Sequence, residues 1–546
     1  MSVVLLTVVL VPLVLAIAVC SGRTCQWAAR LLPYASWPAL LTAVFGAEGS
    51  VVYSPILFGL LLGLDELGRI FLGFTALVWT AAGFHLRSAG LPVSSFVERR
   101  FVFCYLLAMV GNLGVMLAFG GPGFYLFFAL LSLAGYGLIV TDREPQTRRA
   151  GRIYVILALF SELMILAGFI FLAAGRSGPF PAVLLFFGLG IKHGVLPLHM
   201  WLPLAHGIAP PPASALLSGV LLKAGAIGWL RFLPETAPVL AEWSVAIIAL
   251  GMAAAVLAAL VGAVQTNPKM MLAYSSISQM GIFTAGFGMA VASPSLWPLL
   301  VPALALFACQ HALVKAALFL GVGTDRAARS GGWVWPVLGL LSLALVGAPM
   351  TAAAMVKLWF DGYLSTLPAV AGELLAVALP LTTVTSTLLM SRFVWALRKP
   401  RSSAEGVGRG LASPVPFLGL TGLALLIPWL LAWSLNPEVF LLAFAGASLW
   451  KTLWPMLVGA ATALLLARWA VRWRIPPGDI VVPLEWLAHH LKPPVLPVSE
   501  HRPRHRYWFP PMPWPQMEAY LRRSPVTGVI YMLCILILAL AAGVVL

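Results

Sequence analysis

Apolar runs of about 18 or more residues recur along the whole chain, separated by short stretches that hold almost all of its charge. The runs cover 2–20, 36–63 with an interruption near Glu48, 67–86, 101–119, 122–140, 152–174, 182–205, 212–232, 240–264, 270–291, 295–321, 333–360, 369–393, 415–434, 447–472 and 526–546. Each is long enough to cross about 30 Å of hydrocarbon as a helix. Strands of a membrane barrel would alternate with a period of two, whereas Ser2–Cys20 and Val526–Leu546 are continuously apolar. The pattern predicts an all-α polytopic membrane protein with about 14–16 transmembrane helices.

Composition agrees: 61% of the 546 residues are hydrophobic and 10% are charged, more apolar than a soluble core requires. A net charge of +16 would suggest nucleic acid in a soluble protein, so the placement of the basic residues decides its meaning. Arg23, Arg30, Arg87, Arg99, Arg100, Arg143, Arg148, Arg149, Arg152 and Lys269 follow odd-numbered spans, as do Arg326, Arg329, Arg392, Arg398, Lys399 and Arg468. Asp65, Glu66 and Glu235 fall on the other side. By the positive-inside rule this predicts a multi-pass protein of a bacterial cell inner membrane with its N-terminus outside. The first run has neither a basic leader nor a small-residue cleavage site, and is expected to be a retained span. Trp473–Pro525, rich in Pro, Trp, His and Arg, is too polar to cross and suits the cytoplasmic interface.

Two spans are interrupted in corresponding ways, by Pro197 and Pro203 around His199 and by Gly347-Ala348-Pro349 ahead of Lys357. Such breaks are tolerated where the freed backbone groups line a polar cavity, and paired breaks suggest an internal repeat. An ordinary proline kink is the plainer alternative for either alone.

Ionisable residues inside apolar runs carry the chemistry, because each costs about 3 kcal/mol or more at the bilayer centre unless it meets partners or water. Lys192, Lys223, His311, Lys315, Glu162 and Lys357 are so placed. One such residue could snorkel to the interface; six in one chain argue for a shared polar path. Buried lysine and histidine suit proton transfer, and the spacing of His311 and Lys315 puts both on one helical face. His193, His199 and His206 are weak candidates for zinc, since neighbouring lysines repel a cation. Cys20, Cys25, Cys104, Cys309 and Cys534 form no CxxC pair, which supports neither an iron–sulfur cluster nor a disulfide framework. With no phosphate loop either, neither a cofactor nor a catalytic centre is expected in this chain.

Ile191-Lys-His-Gly-Val-Leu-Pro-Leu-His-Met-Trp-Leu-Pro-Leu-Ala-His206, continuing Ala209-Pro-Pro-Pro-Ala-Ser-Ala-Leu-Leu-Ser-Gly-Val-Leu-Leu-Lys223, resembles the signature of the antiporter-like membrane subunits of respiratory complex I, membrane-bound hydrogenases and multi-subunit sodium/proton antiporters. Gln265-Thr-Asn-Pro-Lys-Met-Met-Leu-Ala-Tyr-Ser-Ser-Ile-Ser-Gln-Met-Gly281 and His311-Ala-Leu-Val-Lys-Ala-Ala-Leu-Phe-Leu320 look like two further motifs of the same family in the expected order. The resemblance covers roughly residues 50–395. It implies two inverted five-helix repeats, each with a broken helix. The expected divisions are N-terminal helices over 1–100, half-channels over 101–235 and 236–395, and C-terminal helices over 396–546 with the interfacial segment at 473–525.

The resemblance also implies roles. Lys192 matches the seventh-helix lysine coupled to conformation, Lys223 the eighth-helix bridging lysine, His206 the histidine beside it, and His311 with Lys315 the eleventh-helix pair. Lys357 falls where relatives place an exit-side lysine or glutamate. With His199 and Glu162 these form the expected proton pathway. One departure stands out: Phe124-Tyr-Leu-Phe-Phe-Ala129-Leu-Leu has alanine where relatives carry a fifth-helix glutamate. Glu162 on the next helix is the candidate replacement, against the alternative of a structural contact. Leu204 likewise replaces a glutamate, which favours protons over sodium. The expected function is a proton-translocating subunit of a larger membrane complex, driven by redox or ion-gradient energy. Alternatives are a coupling subunit of an inorganic-carbon accumulation complex with a zinc-bearing partner, a sodium/proton antiporter subunit, or a structural subunit with a vestigial channel.

Overall fold

The computed structural model describes residues 2–53, 59–90, 95–142, 144–327, 332–397 and 413–468. The interfacial segment expected over 473–525 and the span expected over 526–546 lie outside them. The chain runs through α1 (Ser2–Cys20), α2 (Cys25–Leu31), α3 (Trp37–Phe45), β1 (Gly49–Tyr53), β2 (Leu60–Leu64), α4 (Glu66–Ser88), α5 (Phe96–Leu117), α6 (Gly121–Ile139) and α7 (Pro145–Ala173). It continues with α8 (Pro179–His193), α9 (Trp201–Ile208), α10 (Pro211–Leu216), a π turn over Leu217–Leu221, α11 (Lys223–Phe232), α12 (Ala237–Glu242), α13 (Ser244–Ala263) and α14 (Pro268–Val291). The remaining helices are α15 (Trp297–Ala327), α16 (Val334–Val346), α17 (Ala352–Asp361), α18 (Ala369–Leu397), α19 (Val415–Leu435), α20 (Pro437–Leu442) and α21 (Gly446–Arg468).

Among the described residues, 11 helical stretches are long and apolar enough to cross a membrane. Two shorter apolar helices, α8 and α16, are each followed by a break and a further helix, α9 and α17. The protein is thus an all-α multi-pass membrane protein. α15 is largely buried along Trp297–Thr324, because α4, α10, α14, α16, α17 and α19 all pack on it. α7 lies at the periphery and turns Ile156, Leu159, Leu163 and Ile170 outward.

Two helix pairs pack backbone to backbone. A Cβ added to Gly251 of α13 would sit 2.5 Å from the Ala285 nitrogen and 2.6 Å from the Gly281 oxygen of α14. One on Gly111 of α5 would sit 2.5 Å from the Leu131 nitrogen of α6. Without water as a driving force, close approach through small residues is what holds membrane helices together.

The run 36–63, expected to be one interrupted span, is not one. α3 ends at Phe45, and Gly49–Tyr53 pairs antiparallel with Leu60–Leu64. Gly46, Glu48 and Gly49 stop the helix, and Val51, Val52 and Tyr53 favour a strand. Apolar composition alone could not distinguish this hairpin from a short crossing. Beside it, Asp65 caps α4 by accepting from Gly68 N–H (2.8 Å) and pairs with Arg231 at 3.1 Å. Arg231 also donates to the Ala118 carbonyl at 2.9 Å, satisfying the end of α5.

Candidate functional site

Both breaks have the same local cause. α8 ends in left-handed Gly194 (φ 94°) and α16 in left-handed Gly347 (φ 90°), a conformation that costs glycine nothing, with a proline close behind each. The breaks leave carbonyls without helical partners, and lysines use the polar space around them.

Lys192, in the last turn of α8, is 3% exposed. Its Nζ donates to Ser132 Oγ of α6 at 3.1 Å and to Tyr154 OH of α7 at 2.9 Å, and Tyr154 OH donates to the Ser132 carbonyl at 2.8 Å. The ammonium also lies 5.1 Å from the centre of the Tyr154 ring and 5.8 Å from those of Phe128 and Trp201, an aromatic cage that suits a cation. Glu162 of α7 is buried close enough to interact with both the Ser132 hydroxyl and Lys192, while its Oε1 has no hydrogen-bond partner among the described residues. A cavity of about 10 Å³ lined by Ser132, Tyr154, Ser161, Lys192 and Trp201 has room for about one water.

The next residue, His193, points the other way. Its Nε2 lies 3.3 Å from the Met280 carbonyl of α14, and its ring sits 4.6 Å from Trp229 and 5.0 Å from Phe283. Lys223 follows the π turn, where one extra residue per turn disrupts the carbonyl ladder. Its Nζ donates to the Ser218 carbonyl inside that turn at 3.2 Å and is hydrogen-bonded to His311 Nδ1 of α15. One turn along α15, Lys315 Nζ donates to the Leu272 carbonyl of α14 at 2.7 Å and to Ser275 Oγ.

A polar strip joins these lysines. The hydroxyls of Ser218 and Ser276 are 2.7 Å apart, and Ser276 Oγ donates at 3.0 Å to the same Leu272 carbonyl that Lys315 uses. Lys223, through the Ser218 main-chain carbonyl, and Lys315, through the Leu272 carbonyl, are therefore anchored at opposite ends of one buried row of polar groups across the π turn and α14.

Lys357 of α17 donates to Thr383 Oγ1 of α18 at 2.6 Å and to the Val346 carbonyl, freed by the second break, at 3.2 Å. His206 of α9 stacks on Phe319 of α15, ring centres 4.6 Å apart, close enough to Lys315 and Lys269 to feel both charges. His199 is buried in the turn joining α8 to α9, where its carbonyl accepts from Leu202 N–H at 3.0 Å.

Against known proteins, residues 122–360 match the family described as NADH:quinone oxidoreductase/Mrp antiporter, TM. The matched region runs from α6 to α17. Hydrogenase-4 component B of Escherichia coli (strain K12) is 32% identical over 248 residues, 41% of this chain and 36% of that protein. NAD(P)H-quinone oxidoreductase chain 4 of Prochlorococcus marinus subsp. pastoris is 29% identical over 359 residues, 58% of this chain and 64% of that protein. The chain thus spans between about a third and two-thirds of the length of these curated relatives. A chain in the structure of the Mrp complex from Dietzia sp. DQ12-45-1b superposes with a TM-score of 0.65 at 19% identity, covering 85% of this chain and 99% of that one, which shows a common fold.

The matched region contains every pathway residue expected from the sequence. The structure brings Glu162 to Lys192, Lys223 to His311 and Lys315, and His206 to Lys315, while Lys357 has its own partners on α16 and α18. Ala129, where the family's glutamate was expected, is partly exposed, three residues before the buried Ser132. Sequence reasoning missed Ser132, Tyr154, Ser218, Ser275, Ser276 and Thr383, because single hydroxyls in apolar helices are commonplace. His193 was weighed only as a metal ligand. Lys269, counted among loop cations, is 4% exposed, and its Nζ donates at 2.7 Å to the Ala209 carbonyl at the end of α9.

Proposed function

We propose that this chain is a proton-translocating, antiporter-like subunit of a larger complex in a bacterial inner membrane, its N-terminus outside. Protons pass along Glu162, Lys192, His193, Lys223, His311, Lys315 and Lys357, with His199 and His206 on flanking positions. Residues 101–235 and 236–395 act as two half-channels, each opening on a glycine-packed helix pair and each containing one broken span. Residues 1–100 and 396–546 flank them in sequence.

The observation that carries this reading is the Lys223–His311 hydrogen bond, tied to Lys315 through Ser218 and Ser276. Lys Nζ can donate to Nδ1 only if that nitrogen presents a lone pair, so the bond excludes a protonated Nδ1 facing an ammonium. Passing the proton across reverses donor and acceptor without moving either side chain, which is the elementary step of a relay. Glu162 supplies a negative charge for Lys192 when the proton is elsewhere, standing in for the absent carboxylate at Ala129.

Two relatives take their names from oxidoreductases, which supports a redox-driven partner as the energy source. The test is proton uptake by vesicles containing the whole complex with Lys315→Met, which keeps the side-chain length and removes the charge. A fall of about tenfold or more with the complex assembled is expected; uptake at the unmodified rate would remove the proposal.

A further inference from the structure

His85 is a buried titratable side chain that the pathway above does not use. It lies one turn before the end of α4 and is 3% exposed, and its Nδ1 has no hydrogen-bond partner among the described residues. Burying a polar ring nitrogen without a partner is costly, so the position calls for water or a transient proton.

Its neighbours indicate where such water leads. α4 and α15 pack against one another: a Cβ on Gly219 would stand 3.4 Å from Val78 of α4 and 3.2 Å from the Ala312 oxygen and Ala316 Cβ of α15, and His85 approaches α15 at Gly323. A Cβ on Gly323 would stand 3.5 Å from His85 Nε2 and 2.7 Å from Pro211 Cβ. Glycine at 323 therefore keeps open the place where the histidine reaches the central helix. One turn back, Phe319 carries the stacked ring of His206, neither of whose nitrogens has a partner among the described residues, and one turn further back is Lys315. His311, Lys315, Phe319 and Gly323 follow one another at intervals of four on α15, about 6 Å of axial rise per step. His85, His206 and Lys315 thus meet α15 at successive turns, over about 12 Å from the α4 end to the central lysine. Lys269, the other cation near His206, is held at the end of α9 by the Ala209 carbonyl. Arg87, two residues beyond His85, donates outward to the Arg30 carbonyl at 3.3 Å.

We infer that His85 is a proton-transfer residue at the mouth of a branch that joins the membrane surface at the C-terminal end of α4 to Lys315 by way of His206. This deepens the proposed function and rests on it. The branch would load or unload the second half-channel directly, without passing through Lys192.

The test uses the assembled complex in sealed vesicles, with Lys315→Met as the reference. His85→Phe keeps the ring's packing and removes both nitrogens; His85→Ala leaves a hole that free imidazole can fill. The inference predicts at least about a tenfold loss of proton flux in both variants at unchanged assembly, with recovery of His85→Ala, but not His85→Phe, in millimolar imidazole. Full flux in His85→Phe overturns the inference while leaving the axis intact, provided Lys315→Met is inactive. A slow His85→Ala that imidazole does not restore assigns the residue to packing and overturns it too. If Lys315→Met conducts normally, the axis itself is wrong and the branch falls with it.

Discussion

Replacing His311 by phenylalanine probes the centre of the line. Phenylalanine preserves the ring's size and its stacking on Phe307, 6.5 Å away, and removes the Nδ1 acceptor. Lys223 is 0% exposed and would retain only the Ser218 carbonyl, at 3.2 Å. A hydrogen bond to a charged group contributes about 1.5–3 kcal/mol, and each 1.36 kcal/mol on a barrier is about a factor of ten in rate. Proton flux should therefore fall by about 10- to 150-fold, with the complex still assembled. His311→Gln separates the two roles of the ring: an amide can accept from Lys223 but cannot carry the proton onward. Both variants should be slow if His311 is a carrier, and only the phenylalanine if it is a scaffold. Flux per complex is read from dye acidification in vesicles, with subunit content measured on the same preparation. His311→Phe conducting at the wild-type rate would refute the reasoning.

Glu162→Gln keeps the shape of the side chain and its approach to Ser132 while removing the charge facing Lys192; flux should drop by about tenfold or more, and an unchanged rate would return Glu162 to a structural role. Gly251→Val should prevent stable assembly, because its side chain would press into α14 backbone 2.5 Å away; thermal unfolding of the purified protein should show a marked loss, and a wild-type midpoint would mean the helices can separate freely.

The parts legible in the sequence are those with a large energetic signature. A charge inside an apolar run is expensive, so Lys192, Lys223, Lys315 and Lys357 stood out, and Pro197 with Pro203 marked the first break and Gly347-Ala348-Pro349 the second. What escaped has no such signature. The hairpin at 49–64 is as apolar as a span, and nothing in its composition separates crossing from folding back. Lys269 reads as a loop cation because charge counting cannot distinguish a loop from the first turn of a helix. The π turn before Lys223 has no residue signal, yet it places the Ser218 carbonyl within reach of the ammonium. His85 was passed over because it stands two residues from Arg87, at the end of the apolar run 67–86.

The central claim is a continuous polar line through the protein, and water positions test it most directly. A structure of the complex in lipid, at a resolution that shows ordered water, should place water in the cavity between Ser132, Tyr154 and Lys192 and beside His206, with Lys223 still joined to His311. Dry apolar packing at both places, with Lys223 and Lys315 turned away from His311 and Ser275, would contradict it.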